Sequence, residues 1–247
     1  MKKTAIVTGG ANGIGAAIVE QLIDDNYFVT FIDIDETNGE KMQNRLNSTK
    51  EVCKFYSLDV KNAEAIDEVI QNIDKIGIIE VLVNNAGYSQ DCPIEKISTV
   101  DWDNILNTHL RSSFLFIKGV TPIMKFNKYG RIINISSISA LGHSERASYC
   151  AAKSGMHGLI KSVASELGEF GITANVIAPG LIVTNMTKKT AERNNRTLEA
   201  HLQLAKEKIT VKRVGTPEDI SNAVSFFSNK KNGFITGQIL YISGNPD

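Results

Sequence analysis

Tyr149 and Lys153 stand four residues apart in Tyr-Cys-Ala-Ala-Lys. On a helix that spacing puts both side chains on one face, one turn apart. Ser136 and Ser137 precede Tyr149 by thirteen and twelve residues and end a run that reads as a strand. Hydroxyl, phenol and ammonium therefore fall at the C-terminal edge of a sheet, where doubly wound folds bind ligands. A second constellation is Thr8-Gly9-Gly10-Ala11-Asn12-Gly13-Ile14-Gly15, between the first strand and the first helix. Gly9, Gly13 and Gly15 suit a tight turn with close backbone approach to a pyrophosphate, and the following helix aims its unpaired N–H groups at that anion. A plain strand–helix turn can also use such a cluster; Asp33 strengthens the phosphate reading. It ends the second strand eighteen residues beyond Gly15, where a carboxylate accepts from the ribose hydroxyls and repels a 2′-phosphate. No Arg or Lys stands in the glycine loop and Ile34 follows Asp33, so NAD(H) is expected over NADP(H). A competing role for Asp33 is to cap a helix starting near Glu36, which Asp35 or Thr37 could do equally well.

Composition removes several other classes. The 247 residues carry 27 Lys+Arg against 27 Asp+Glu, without the basic excess a nucleic-acid partner requires. At 42% hydrophobic and 22% charged, the chain is ordinary for a soluble globular protein. Met1-Lys2-Lys3 is followed by only Ala5-Ile6-Val7 before glycines, short of the about 7–15 apolar residues of an export signal. No run approaches the ~18 residues of a membrane span, so a cytoplasmic protein without a membrane partner is expected. Cys53, Cys92 and Cys150 are scattered and read as free thiols. His109, His143, His157 and His201 show no metal-ligand spacing, so no metal is expected.

The elements that must position these residues alternate. Strands are expected at 4–8, 28–32, 53–58, 79–83, 131–135, 172–178 and 239–242. Helices are expected at 14–25, 36–47, 63–75, 99–125 and 148–168. The strands are continuous apolar runs, as buried parallel strands are. The expected fold is therefore α/β, a doubly wound Rossmann fold whose seven-stranded parallel sheet has helices on both faces. With no linker or repeat in view, one domain spanning 1–247 is expected. Residues 185–213 stand apart as a polar insertion with eight basic and three acidic residues. They read as a lid over the site or as a solvated flap.

The chain resembles the short-chain dehydrogenase/reductase superfamily over nearly its whole length. The resemblance rests on the glycine loop, Leu58-Asp59-Val60, Asn84-Asn85-Ala86-Gly87, the Ser/Tyr/Lys set, Pro179-Gly180-Leu181-Ile182-Val183-Thr184 and Ile235-Thr236-Gly237-Gln238 in order. Such a resemblance implies hydride transfer between a nicotinamide and a secondary alcohol or carbonyl of a small-molecule substrate. Tyr149 would be the general acid/base, its phenol lowered from near 10 by Lys153 and the nicotinamide cation. Lys153 would also hold the nicotinamide ribose and Ser137 the substrate oxygen. Asp59 and Val60 would hold the adenine; Asn85, Ala86 and Gly87 would line the cofactor channel. Pro179, Gly180, Ile182 and Thr184 would complete the nicotinamide end. The resemblance also implies a homotetramer.

Two departures stand out. Members often place thirteen residues between serine and tyrosine. That count selects Ser136, whereas counting along the strand selects Ser137, which is favoured because strand geometry fixes position better than loop length does. In the long helix His109 replaces the usual asparagine, the fourth catalytic member, which acts largely through its carbonyl. The imidazole could join a proton relay titrating near 6.5, or be a packed neutral ring. Substrate-pocket candidates are Ser139, His143 and Leu181, with Gln90, Leu141 and Glu145 nearby. They form a mostly polar set that leans toward a small hydroxylated or carbonyl substrate. The alternatives are a 3-oxoacyl-acyl-carrier-protein reductase using NADPH, disfavoured by Asp33 and by Phe170 where a basic residue is usual, and a non-catalytic NAD(H)-binding sensor.

Overall fold

The computed structural model describes residues 2–193 and 195–246. In chain order these form β1 (Lys2–Thr8), α1 (Gly13–Asp24), β2 (Phe28–Asp33), α2 (Glu36–Leu46), β3 (Cys53–Ser57), α3 (Ala63–Asp74) and β4 (Gly77–Asn84). There follow α4 (Thr99–Leu106), α5 (Ser112–Asn127), β5 (Gly130–Ile135), α6 (Ala147–Leu167), β6 (Ile172–Pro179), α7 (Asn185–Arg193), α8 (Leu198–Lys208), α9 (Pro217–Ser228) and β7 (Ile239–Ile242). The strands form one parallel sheet in the order β3-β2-β1-β4-β5-β6-β7, as the apolar runs predict.

Strand alternation divides the core. Ile6, Leu82 and Ile132 face a layer with Ile70 of α3, Phe116 of α5 and Ile160 of α6. Ala5, Val7, Val83 and Ile133 face the opposite layer with Ile18 of α1 and Val224 of α9. Burial of both faces is why these strands lack a polar side. Chain order reverses at β1/β4, so the connections there diverge to opposite faces and open a crevice at the carboxyl ends of the strands.

The helix expected over 99–125 is not continuous. α4 and α5 are joined by a π-helical turn, Asn107–Arg111, a local widening common at functional sites. The hydroxyls of Ser112 and Ser113 donate to the carbonyls of Thr108 and His109 at 2.5 and 2.7 Å, binding carbonyl groups within the widened turn. The basic insertion folds as α7 and α8. α7 buries Thr187 and Ala191, and α8 buries none of its residues.

Candidate active site

A cleft of about 540 Å³ opens along the switch point. At one end, Gly9 has φ +65°, and a Cβ there would stand 2.7 Å from Ala86 Cα. A Cβ on Gly15 would collide with the Gly9 carbonyl. Asn85 clamps this loop, donating from Nδ2 to the carbonyls of Thr8 and Gly9 at 3.1 and 2.9 Å. The Asn85 and Ala86 amides donate to Thr8 Oγ1. Asn12 precedes α1 but does not cap it; its Nδ2 donates to Asp35 Oδ2 at 2.9 Å. The first turn of α1 carries no acidic residue, which leaves its N–H groups for an anion.

Asp33 Oδ2 accepts from the Ala11 amide and Oδ1 from the Asp35 amide, both at 3.0 Å. It thus braces the glycine loop while lining the cleft. Asp35, not Asp33, caps α2 by accepting from the Asn38 amide. Ile34 is largely exposed beside it. Glycine cradle, uncapped helix and strand-end carboxylate together fit a dinucleotide. Gly13, Ile14, Asp59, Val60, Gly87, Pro179, Gly180, Ile182 and Thr184 line the same cleft.

At the other end, α6 presents Tyr149 and Lys153, both buried, on one face. Lys153 Nζ donates to the Ile135 carbonyl at 2.7 Å, and burial pulls the ammonium down to about 7. Burial also pushes the Tyr149 phenol up, opposed by the Ser137 hydroxyl and the Arg146 charge. The expected lowering by Lys153 and the nicotinamide cation concerns the cofactor-bound enzyme; in the protein alone burial favours the neutral phenol.

Ser137 lines the cleft and acts on Tyr149. Its hydroxyl also accepts from the Ser139 amide at 3.1 Å. Ser136 Oγ is directed to the Lys153 carbonyl at 3.2 Å and to His157 Nε2 at 2.8 Å. Of the two serines the structure therefore brings Ser137 to the phenol.

His109, within the π turn, is buried. Its ring meets Tyr149 edge-on, with centroids 5.2 Å apart. Nε2 lies 2.8 Å from the Tyr88 carbonyl and 3.2 Å from the Tyr88 amide. Burial, and secondarily Lys153, holds the imidazole well below its ordinary pKa. Burial therefore favours the packed neutral ring over a relay group titrating near 6.5. Gly87 is a glycine for this reason: a Cβ would run into the imidazole.

Leu181 reaches the cleft, whereas Ser139 and His143 do not line it. A 3₁₀ turn, Ile138–Leu141, and Gly142 at φ +109° lead the chain away. Ser139 is buried behind that turn, and exposed His143 Nδ1 pairs with the Ser144 carbonyl. Sequence reasoning missed Tyr88, Thr108, Arg146, Met186 and Thr190, all on the cleft. Arg146 was findable from its place one turn before Tyr149; the α7 residues required the fold.

The family model described as Enoyl-(Acyl carrier protein) reductase matches residues 9–244. A 3-oxoacyl-[acyl-carrier-protein] reductase FabG of Buchnera aphidicola is 37% identical over 246 residues, covering 98% of this chain and 96% of that protein. The (2S)-[(R)-hydroxy(phenyl)methyl]succinyl-CoA dehydrogenase subunit BbsD of Thauera aromatica is 34% identical, covering 98% and 95%. The solved structure of ElxO with NADP bound superposes with a TM-score of 0.90 at 32% identity, covering 99% of this chain and 98% of that one. The chain belongs to the short-chain dehydrogenase/reductase family. It is an oxidoreductase acting between CH–OH and carbonyl groups with a nicotinamide cofactor. Among the described residues no helix is long and apolar enough to cross a membrane, and no cluster of potential metal ligands occurs.

Proposed function

We propose that this chain interconverts a small secondary alcohol and its carbonyl with Tyr149 as general acid/base. The carrying observation is the buried Tyr149–Lys153 face of α6 with Ser137 beside the phenol, at the far end of the cleft from the glycine cradle. A nicotinamide dinucleotide held there would supply the hydride chemistry. Ser137 holds the substrate oxygen, and Tyr149 donates its proton to that oxygen in reduction or removes it in oxidation. Lys153 binds the nicotinamide ribose, and His109 keeps the Tyr149 ring and the Tyr88 backbone in place as a neutral wall. The adenosine end is held by Asp33, Ile34, Asp59 and Val60; Leu181 borders the substrate, and 185–213 closes over it. The chain forms one domain. The half-exposed Phe114 and its neighbours Leu106, Leu110 and Leu159 support association as a homotetramer. Its three free thiols suit the cytoplasm.

NAD(H) is preferred over NADP(H), because Asp33 sets a carboxylate where a 2′-phosphate would lie and Asn12, not a basic residue, stands in the glycine loop. Asp33→Ala is expected to narrow the NAD-over-NADP ratio of kcat/KM at least tenfold; an unchanged ratio removes Asp33 from selection. A 3-oxoacyl-acyl-carrier-protein reductase is the second reading, favoured by the FabG relatives and the NADP-bound neighbour. Comparing NADH and NADPH as reductants on a panel of ketones and an acyl-carrier thioester, followed at the nicotinamide absorbance, separates the two. NADPH preference with thioester turnover selects the second.

A further inference from the structure

Asp91, in the segment after β4, holds two guanidinium groups from distant parts of the chain. Arg146, immediately before α6, donates from Nε and Nη2 to Asp91 Oδ1 and Oδ2 at 2.7 and 3.1 Å. Arg193, the last residue of α7, brings Nη2 to 3.5 Å from Asp91 Oδ2 and to 3.5 Å from Ser89 Oγ. One carboxylate against two guanidiniums leaves a single positive charge. Beside them, Glu145, Lys188, Lys189 and Glu192 are exposed and cancel, while the buried Lys153 of α6 adds a further basic group to the cleft. The side chains of Arg146 and Asp91 are only 19% and 22% exposed, so solvent and salt screen the residual charge less than at an open surface.

Arg146 lines the reaction cleft, and its charge is felt at the Tyr149 phenol. Asp91 occupies two of its three guanidinium nitrogens. Nη1 makes no hydrogen bond among the described residues and is not sealed from solvent. The carboxylate therefore fixes the plane of the guanidinium without using up its donors, and little side-chain freedom remains to be lost on binding. Only Ala147 and Ser148 lie between Arg146 and Tyr149 in the chain, and Arg146, Ser137 and Tyr149 line the same cleft. An anion held by Arg146 would therefore share that cleft with the phenol.

We propose that Arg146, oriented by Asp91, is a specificity-determining residue that selects substrates with a carboxylate close to the reacting carbonyl or carbinol, with Arg193 flanking the anion from α7. Planar carboxylate recognition by a pre-aimed guanidinium is short, charge-assisted and directional. The inference rests on the oxidoreductase reading above and narrows its substrate to short oxo or hydroxy acids.

The test is steady-state kinetics of the full chain with NADH and with NADPH on matched pairs: pyruvate and methyl pyruvate, acetoacetate and methyl acetoacetate. The acid of at least one pair is expected to exceed its ester at least tenfold in kcat/KM. Arg146→Gln should reduce that acid-over-ester ratio at least tenfold, mainly through KM, and Arg146→Lys should recover part of it. Asp91→Asn, which keeps the guanidinium but loosens its aim, should lower the acid-over-ester ratio only in part, by less than Arg146→Gln does. A purely structural ion pair predicts instead that Arg146→Gln and Asp91→Asn behave alike and lower acid and ester in proportion, and that result overturns the proposal. NADH affinity and thermal midpoint identify any variant that has lost its fold. A wild-type chain that turns over neutral ketones but not the acids also overturns it, while leaving the oxidoreductase reading intact. A chain that binds neither cofactor and reduces nothing removes both.

Discussion

Lys153 carries an electrostatic cost in the site. It is buried, its Nζ rests on one backbone carbonyl, and its pKa falls to about 7. Between that value and the ordinary lysine pKa near 10.4, the unfolded chain binds a proton that the folded chain does not. Stability from this group therefore rises with pH above about 7 and is lost as pH falls through 7. Lys153→Met is expected to raise the thermal midpoint of the cofactor-free chain by a few degrees below pH 7, with the gain shrinking toward pH 10. A pH-independent difference would place the cost elsewhere. His109 behaves differently, because its ring is already neutral. The expected pH–rate profiles of wild type and His109→Asn between pH 6 and 8 superimpose in shape. A new ionisation near 6.5 that vanishes in the variant would contradict the packed neutral ring.

The π turn at Asn107–Arg111 couples α4–α5 to the end of β4, because it seats His109 against Gly87. Gly87→Ala is expected to destabilise the chain by about 1–3 kcal/mol through overpacking, with much of the loss recovered when His109→Asn is added. Additive losses in that double-mutant cycle would show that the two positions are independent. The sequence could not reveal this turn: Asn107–Arg111 carries no Gly or Pro to break the helix, and the widening is visible only in the hydrogen bonding. Strands were far more legible. β6 is buried at every position, so its residues are mostly apolar, with only Thr173 and Asn175 polar. The glycine loop was legible because Gly9 needs a positive φ and a close approach to Ala86 that side chains forbid. The Asp91–Arg146 pair was not, since it joins residues 55 apart whose meeting depends on how two loops pack. The position of Ser139 and His143 away from the cleft was not legible either, because a 3₁₀ turn and Gly142 redirect a loop whose path local composition does not encode.

At the scale of the molecule, the sheet order makes the site. Strands β1 and β4 send their connections to opposite faces, and the crevice between them receives the glycine cradle from one half and the α6 face from the other. The residues that would hold the adenosine end and those that would hold the nicotinamide end thus line one continuous cleft. The direct measurement of this arrangement is kinetics at the nicotinamide absorbance on Tyr149→Phe, paired with NADH and NADPH binding by fluorescence. The variant is expected to keep cofactor affinity within about threefold, since the cradle lies at the opposite end of the cleft. It is expected to lose about 10²–10⁴-fold in kcat, the usual contribution of a positioned acid/base. Near-normal kcat with intact binding would show that another group moves the proton and would contradict the account at its centre.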